Sequence, residues 1–322
     1  MSYSISTIVI SSALAFIMGF AIRRGDICAV AAVGHWMKHK QTSHLRAFIT
    51  AAAWAGALLL PSVWFFPSVV NLSPTYKPSE ITFVAGALFG FGAFLNRSCV
   101  FGTIAHLANG ETDYIGTLIG MFIGALLAQV VPFPPSSPLY LVNLSTPNVL
   151  TICIWAAFIA IAFHDIDLKH RFIASNNNMT PSGSAWSPFF SMSVIGAAGG
   201  LLHAIIGNWG YLTVLSHSAA KLINPAQPDV ALQVFTATGS LILGAIVAAR
   251  KTRKLIVRKP QPLPFFRKLA GGSLMSFSAE IIPGGNETLL LHGIPSLAPH
   301  ALIAYAAMLV AVIGLFKLSH SA

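Results

Sequence analysis

Charge is the first thing this sequence lacks. Of its 322 residues only 9% are Asp, Glu, Lys or Arg, against 55% hydrophobic, and just nine are acidic. A soluble domain carries about 25% charged residues, so a water-soluble core is excluded, in line with a mean hydropathy of +0.73. Cysteine is scarce too: Cys28, Cys99 and Cys153 form no C-x-x-C pair. That excludes a disulfide framework and a zinc pattern, and no cofactor motif is present. The alternating ten-residue segments of an outer-membrane barrel are missing. What remains is an all-α polytopic membrane protein embedded in a lipid bilayer.

The net charge of +10 does not indicate nucleic acid. Nearly all Lys and Arg fall in short loops between apolar runs, as a topology signal does, and no aromatic-interleaved basic stretch occurs. The first apolar run lacks a charged leader, so it is expected to be a retained span rather than a cleaved signal.

About twenty apolar residues cross a bilayer. That length predicts nine spans: Tyr3–Ile22, Leu45–Phe66, Glu80–Leu95, Thr112–Val131, Asn148–Phe163, Pro188–Ile206, Val230–Ala249, Lys268–Ile282 and Ala298–Phe316. Four shorter apolar segments, Asp26–Met37, Cys99–Ala108, Trp209–Ile223 and Glu287–Leu297, each follow a break containing Gly, Pro or Asn. They are expected to be re-entrant half-helices. With those four not crossing, almost every cation sorts to one side and only Lys77 and Lys221 to the other. The positive-inside rule then puts the N-terminus outside the cytoplasm and the C-terminus within it.

This topology implies three parts: residues 1–147 as a first half, 148–187 as a connecting span and loop, and 188–322 as a second, inverted half. Broken helices of such repeats meet near the midplane and form the site. Gly116-x-x-x-Gly120-x-x-x-Gly124 reads as a close helix-packing face.

The chemistry concentrates at the breaks. The first reads Arg23-Arg-Gly-Asp-Ile-Cys28 and the second Asn96-Arg-Ser-Cys99-Val-Phe-Gly102. In each, a cysteine opens a half-helix with arginine a few residues upstream. Free N–H groups at a helix start favour anions, so a polarizable, electropositive site suited to a sulfur-bearing anion is expected. Arg97 is placed inside the membrane, where an ionisable group is costly; Arg23 and Arg24 read as topology charges. Cys153, mid-span without polar company, reads as packing. In the second half, Asn286 of Pro283-Gly-Gly-Asn286 can cap the helix that follows. Glu280 is a carboxylate within a hydrophobic span, a proton carrier or the partner of Arg97 or a histidine. His203 and His292 read as satisfied interior histidines, and Glu111 and Asp113 as caps of the fourth span.

Arg-x-Gly-x-x-Cys28, Asn-Arg-Ser-Cys99-x-x-Gly102 with Leu107-Ala-Asn-Gly-Glu111, and the run Ile282 to His300 resemble the YeeE/YedE sulfur-transport family along nearly the whole chain. The resemblance implies an hourglass-shaped inner-membrane transporter with nine spans, passing thiosulfate along cysteines by S–H···S contacts. Cys99 takes the central position and Cys28 the cytoplasmic one. The third cysteine of that relay has no counterpart, since residues 271–287 offer Ser273, Ser276, Ser278 and Glu280. The expected substrate-binding set is Cys99, Cys28, Arg97, Asn96, Asn286 and Glu280, with no catalytic or metal residues. A cytoplasmic sulfur-carrier protein is a fitting partner. Two alternatives stay open: a membrane-embedded sulfur-relay enzyme that forms a persulfide on Cys99, and a channel for another small anion.

Overall fold

The computed structural model describes residues 5–133, 137–139, 141–175 and 186–321, with side chains omitted at 165–175 and from 320 onward. Every regular element among the described residues is a helix, without a strand; two isolated bridges, Tyr76 to Pro138 and Glu111 to Arg258, tie loops together. In chain order the helices are α1 (Ile5–Gly25), α2 (Ala29–His39), α3 (Ser43–Phe65), α4 (Glu80–Asn96), α5 (Val100–Ala108), α6 (Ile115–Val130) and α7 (Val149–Ser175). There follow α8 (Pro188–Ile206), α9 (Tyr211–Ile223), α10 (Leu232–Lys251), α11 (Pro262–Ile281), α12 (Asn286–Thr288), which runs into a π-turn at Leu289–Gly293, and α13 (Pro299–Ser321).

Seven helical stretches among the described residues, three of them interrupted by a short break, are long and apolar enough to cross a membrane: Ile5–His39, Ser43–Phe65, Glu80–Ala108, Thr112–Val130, Pro188–Ile223, Leu232–Lys251 and Pro299–Ser319. The apolar part of α7 is the shorter Val149–His164. Helix α11, which carries Arg267, Lys268 and Glu280, is not among them. The chain is therefore a multi-pass membrane protein.

Local chemistry explains the helix ends. Ser79 opens α4 with a capping box, its hydroxyl accepting from Thr82 N–H while Thr82 Oγ1 accepts from Ser79 N–H. Such a box satisfies two otherwise orphaned donors. Ser187 caps α8, with Pro188 at the first helical position, where its missing N–H costs nothing.

The bundle is packed on small residues and coated with large ones. Ile10, Ile17, Phe83, Val84, Ile119, Leu127, Leu243 and Val310 face outward, the reverse of a soluble protein and suited to lipid. Inside, backbones touch at glycine, as close helix pairs in membranes require. A Cβ on Gly19 would lie 1.9 Å from Leu241 O, and one on Gly244 2.0 Å from Phe16 O, locking α1 to α10. The Gly116/Gly120/Gly124 face meets α11: Cβ atoms on Gly120 and Gly124 would lie 2.0 and 2.1 Å from Leu269 O and Ser273 O.

The pairings come in matched sets. α1 packs on α10 and α8 on α3; α4 packs on α13 and α11 on α6; α1 meets α8, and α4 meets α11. At one end, segment 109–113 is bonded to 256–261, through Ile256 N–H to Asn109 O and Gln261 N–H to Asp113. At the other, the stretch from Asn71 to Tyr76 is held by His292, Ser296 and His300.

Candidate functional site: two cysteine-capped half-helices

The breaks after α1 and α4 are the same device. Each helix closes with an N–H bonded five residues back, Ile27 to Ile22 O and Ser98 to Ala93 O, at 3.1 and 3.0 Å. A left-handed residue precedes each closure, Asp26 at φ 51° and Arg97 at φ 59°. This is the Schellman ending that reverses a chain out of a helix. Two residues after the left-handed turn comes a cysteine in extended conformation, Cys28 or Cys99, as the N-cap of the next short helix.

Those two N-caps face each other. Ala29 N–H donates to Cys99 Sγ at 3.2 Å, and Cys99 N–H donates to Cys28 Sγ at 3.4 Å. Each sulfur thus lies against the start of the other half-helix, where unsatisfied N–H groups and the positive dipole end converge. Cys28 is also 3.7 Å from Ser98 Oγ. Both cysteines are buried, Cys99 completely and Cys28 to 7% exposure. Gly102 makes the approach feasible: a Cβ there would sit 2.3 Å from Ser98 Oγ and 2.9 Å from Cys28 Sγ.

The second half closes over this pair. Asn286 was expected to cap its own helix; instead Gly285 is the N-cap, and Asn286 Oδ1 accepts Val100 N–H of α5 at 3.3 Å. Its Nδ2 is buried without a partner. A donor left over at that depth is costly, and it suits an acceptor-rich anion. Tyr211 donates its hydroxyl to Val100 O at 2.9 Å. Tyr305 is buried too, and its hydroxyl has no partner.

The other expected residues lie elsewhere. Asn96 is buried and fully engaged: Nδ2 donates to Ser98 O and Thr103 Oγ1, and Oδ1 accepts from Thr117 at 2.7 Å. It holds the break in shape. Arg97 was expected in the interior, but the left-handed turn swings its side chain into the open. There its charge acts on Arg267 and Lys268, making a basic patch. Glu280 is not beside the sulfurs; it accepts a bond from Ser216 in a polar cavity of about 190 Å³ that also holds Asn208, His217 and Thr288. Cys153 faces outward on α7.

Three further corrections follow. Arg23 is no surface charge: it is 2% exposed, donates to Asn109 Oδ1 and lies 3.7 Å from Asp26. Glu111 is the N-cap of the Thr112–Tyr114 turn that leads into α6, with Asp113 within that turn, but the Glu111 side chain makes no capping bond. Glu111 Oε1 sits 2.9 Å from His106 Nδ1, and that hydrogen bond holds its carboxyl below the ordinary range. His106 stacks on Tyr114 at 4.4 Å, and Lys268 Nζ lies 4.2 Å above the same ring. His203 and His292 are interior, as expected, and stack at 4.7 Å.

The sequence reading missed Glu287 altogether. It is buried, and neither carboxyl oxygen has a partner. The signal was available as a second acid in a non-polar run, hidden because Asn-Glu-Thr looks like a helix start. Among the described residues no group of three or more His, Cys, Asp or Glu could hold a metal ion.

Residues 24–314 match the family described as sulphur transport. No curated protein matches the chain.

Proposed function

The chain belongs to the sulphur-transport family, and from that premise we propose that it carries a small sulfur-containing anion, thiosulfate or a close relative, through the constriction between Cys28 and Cys99. The reciprocal N–H to sulfur pairing of the two half-helices carries this reading. A two-ended dipole site of this kind replaces hydration for a charged sulfur species while presenting soft, polarizable neighbours. Asn286 Nδ2 supplies a further donor. Arg97, Arg267 and Lys268 draw the anion at the basic mouth, a long-range effect that raises local anion concentration.

The matched helix pairings support an inverted repeat. Exchanging 1–147 with 188–322 maps α1 on α8, α3 on α10, α4 on α11 and α6 on α13; the α1–α10 packing then exchanges with α3–α8, α4–α13 exchanges with α6–α11, and the α1–α8 and α4–α11 pairs map onto themselves. In that frame α2, α5, α9 and the α12 π-turn are re-entrant, and nine helices span, with α7 as connector. The basic residues at the end that bears Arg23, Arg97 and Arg267 favour, by the positive-inside rule, a cytoplasmic position for that end and a periplasmic N-terminus in a cell inner membrane. A sulfur-carrier protein would dock there. Neither sulfur has a hydrogen bond to a histidine or carboxylate among the described residues. Persulfide chemistry needs such a base within reach, so transport is the better supported reading.

Labelled thiosulfate uptake by vesicles reconstituted with the protein tests this. Uptake above empty vesicles, with sulfate a poor competitor, is expected. Equal competition by sulfate would remove the role assigned to a soft sulfur partner.

A further inference from the structure

Glu287 has no part in the relay, yet it is the most isolated ionisable group among the described residues. It is 6% exposed, and both carboxyl oxygens lack a partner. It lines a small cavity of about 20 Å³, room for roughly one water. α1, α5 and α10 contribute only apolar side chains to that cavity. The titratable groups facing it are His203 of α8, which stacks on His292, and Tyr211 of α9. Trp209 Nε1, on the same wall, is also buried without a partner. Among the described residues no Lys or Arg lines this cavity. An uncompensated carboxylate in such a place is held as the neutral acid.

Two walls connect this acid to the rest of the protein. Toward the constriction, Tyr211 is bonded to Val100 O, next to Cys99. Toward the outer end, the wall is Gly285, where a Cβ would sit 2.6 Å from Glu287 Oε2. Gly285 also lines the polar cavity of Glu280, Ser216 and His217. Between the Glu280 cavity and the Glu287 carboxyl there thus stands Gly285, a residue with no side chain to separate them. Ionised, the carboxylate would repel an anion at Cys99; protonated, it would not.

We propose that Glu287 is a proton-binding site, reached from the Glu280 cavity, whose protonation is required for an anion to pass the cysteines, so that a proton accompanies the anion. This rests on the transport reading above. The step is a reversible proton transfer between water in the Glu280 cavity and the Glu287 carboxyl, with no other bond made or broken.

Infrared difference spectra of the purified protein, stepped from mildly acidic to mildly alkaline buffer, test the site without any substrate. A carboxylic-acid carbonyl band that disappears on alkalinisation, persists in Glu280→Gln and is absent from Glu287→Gln is expected. The same band in Glu287→Gln would overturn the assignment, as would a wild-type protein with no titrating band. Should Glu287→Gln fail to purify, Glu287→Asp must shift the band's titration; an unshifted band refutes the proposal. In vesicles with a pH-sensitive dye inside, added thiosulfate should acidify the wild-type lumen. In Glu287→Gln the protons moved per thiosulfate should fall to background, whatever the uptake rate. Unchanged acidification by that variant would refute coupling. Wild-type vesicles that take up no thiosulfate would reject the transport reading, and the infrared band alone would then decide the proton site.

Discussion

Gly102→Ala is the smallest change that disturbs the cysteine pair without touching either sulfur. The added Cβ would lie 2.3 Å from Ser98 Oγ, 2.8 Å from Cys28 Cβ and 2.9 Å from Cys28 Sγ. All three are closer than real Cβ contacts, and Cys28 is held by Cys99 N–H, so the half-helix starts must part. Overpacking of this kind costs about 1–3 kcal/mol, a factor of about 5–150 in the population of the paired arrangement. Uptake should fall by up to that factor, because only the paired form offers the site. Gly239→Ala is the control, since nothing lies within 4 Å of a Cβ there, and it should change stability by less than about 0.5 kcal/mol. Labelled thiosulfate flux in reconstituted vesicles, normalised to folded protein, measures both variants. If Gly102→Ala transports like Gly239→Ala, the close approach of Cys28 to Gly102 has no bearing on function.

Other perturbations separate structure from transport. Gly120→Ala drives a Cβ to within 2.0 Å of Leu269 O; a backbone atom cannot rotate away, so thermal unfolding in detergent should occur at markedly lower temperature. Tyr211→Phe strips a buried carbonyl of its donor, a loss of about 1–3 kcal/mol visible as a lower unfolding midpoint; an unchanged midpoint would mean that bond contributes nothing. Asn96→Ala leaves Thr117 and Thr103 without their partner and should destabilise by a similar amount, also read from unfolding. The Glu111 carboxyl is held down by its bond from His106, so its contribution to stability is present above the ordinary carboxylate range and disappears as pH falls through its depressed value. Wild type and Glu111→Gln should therefore converge in stability at acid pH and diverge toward neutrality; a constant difference across pH would contradict the pairing.

How much of this was legible in the sequence depended on which force set each feature. The membrane class followed from composition, and each apolar run became a helix, because a buried backbone in lipid must bond within itself. The Gly116/Gly120/Gly124 spacing found its partner helix as expected, since close approach leaves a residue-level mark. Cys28 and Cys99 were legible as helix starts because each follows a short helix-ending stretch. That they would cap each other was not, being a contact between residues about 70 positions apart. The misplacements have one cause: side-chain direction is invisible in a one-dimensional pattern. Arg97 turned outward on a left-handed backbone, Arg23 turned inward to Asn109, and Asn286 reached across to Val100. Glu280 drew attention by standing alone in a span, while Glu287, deeper and without partners, was masked by its polar neighbours.

The central claim is that the anion passes the sulfur of Cys99. Its most direct test is labelled thiosulfate uptake into vesicles carrying wild type or Cys99→Ala at equal protein content. Uptake is normalised to folded protein, because the change also leaves Ala29 N–H without its acceptor. The account predicts that uptake by the variant falls to the level of empty vesicles. Uptake at the wild-type rate would contradict it, and would leave the helix bundle standing with its path somewhere other than between the two cysteines.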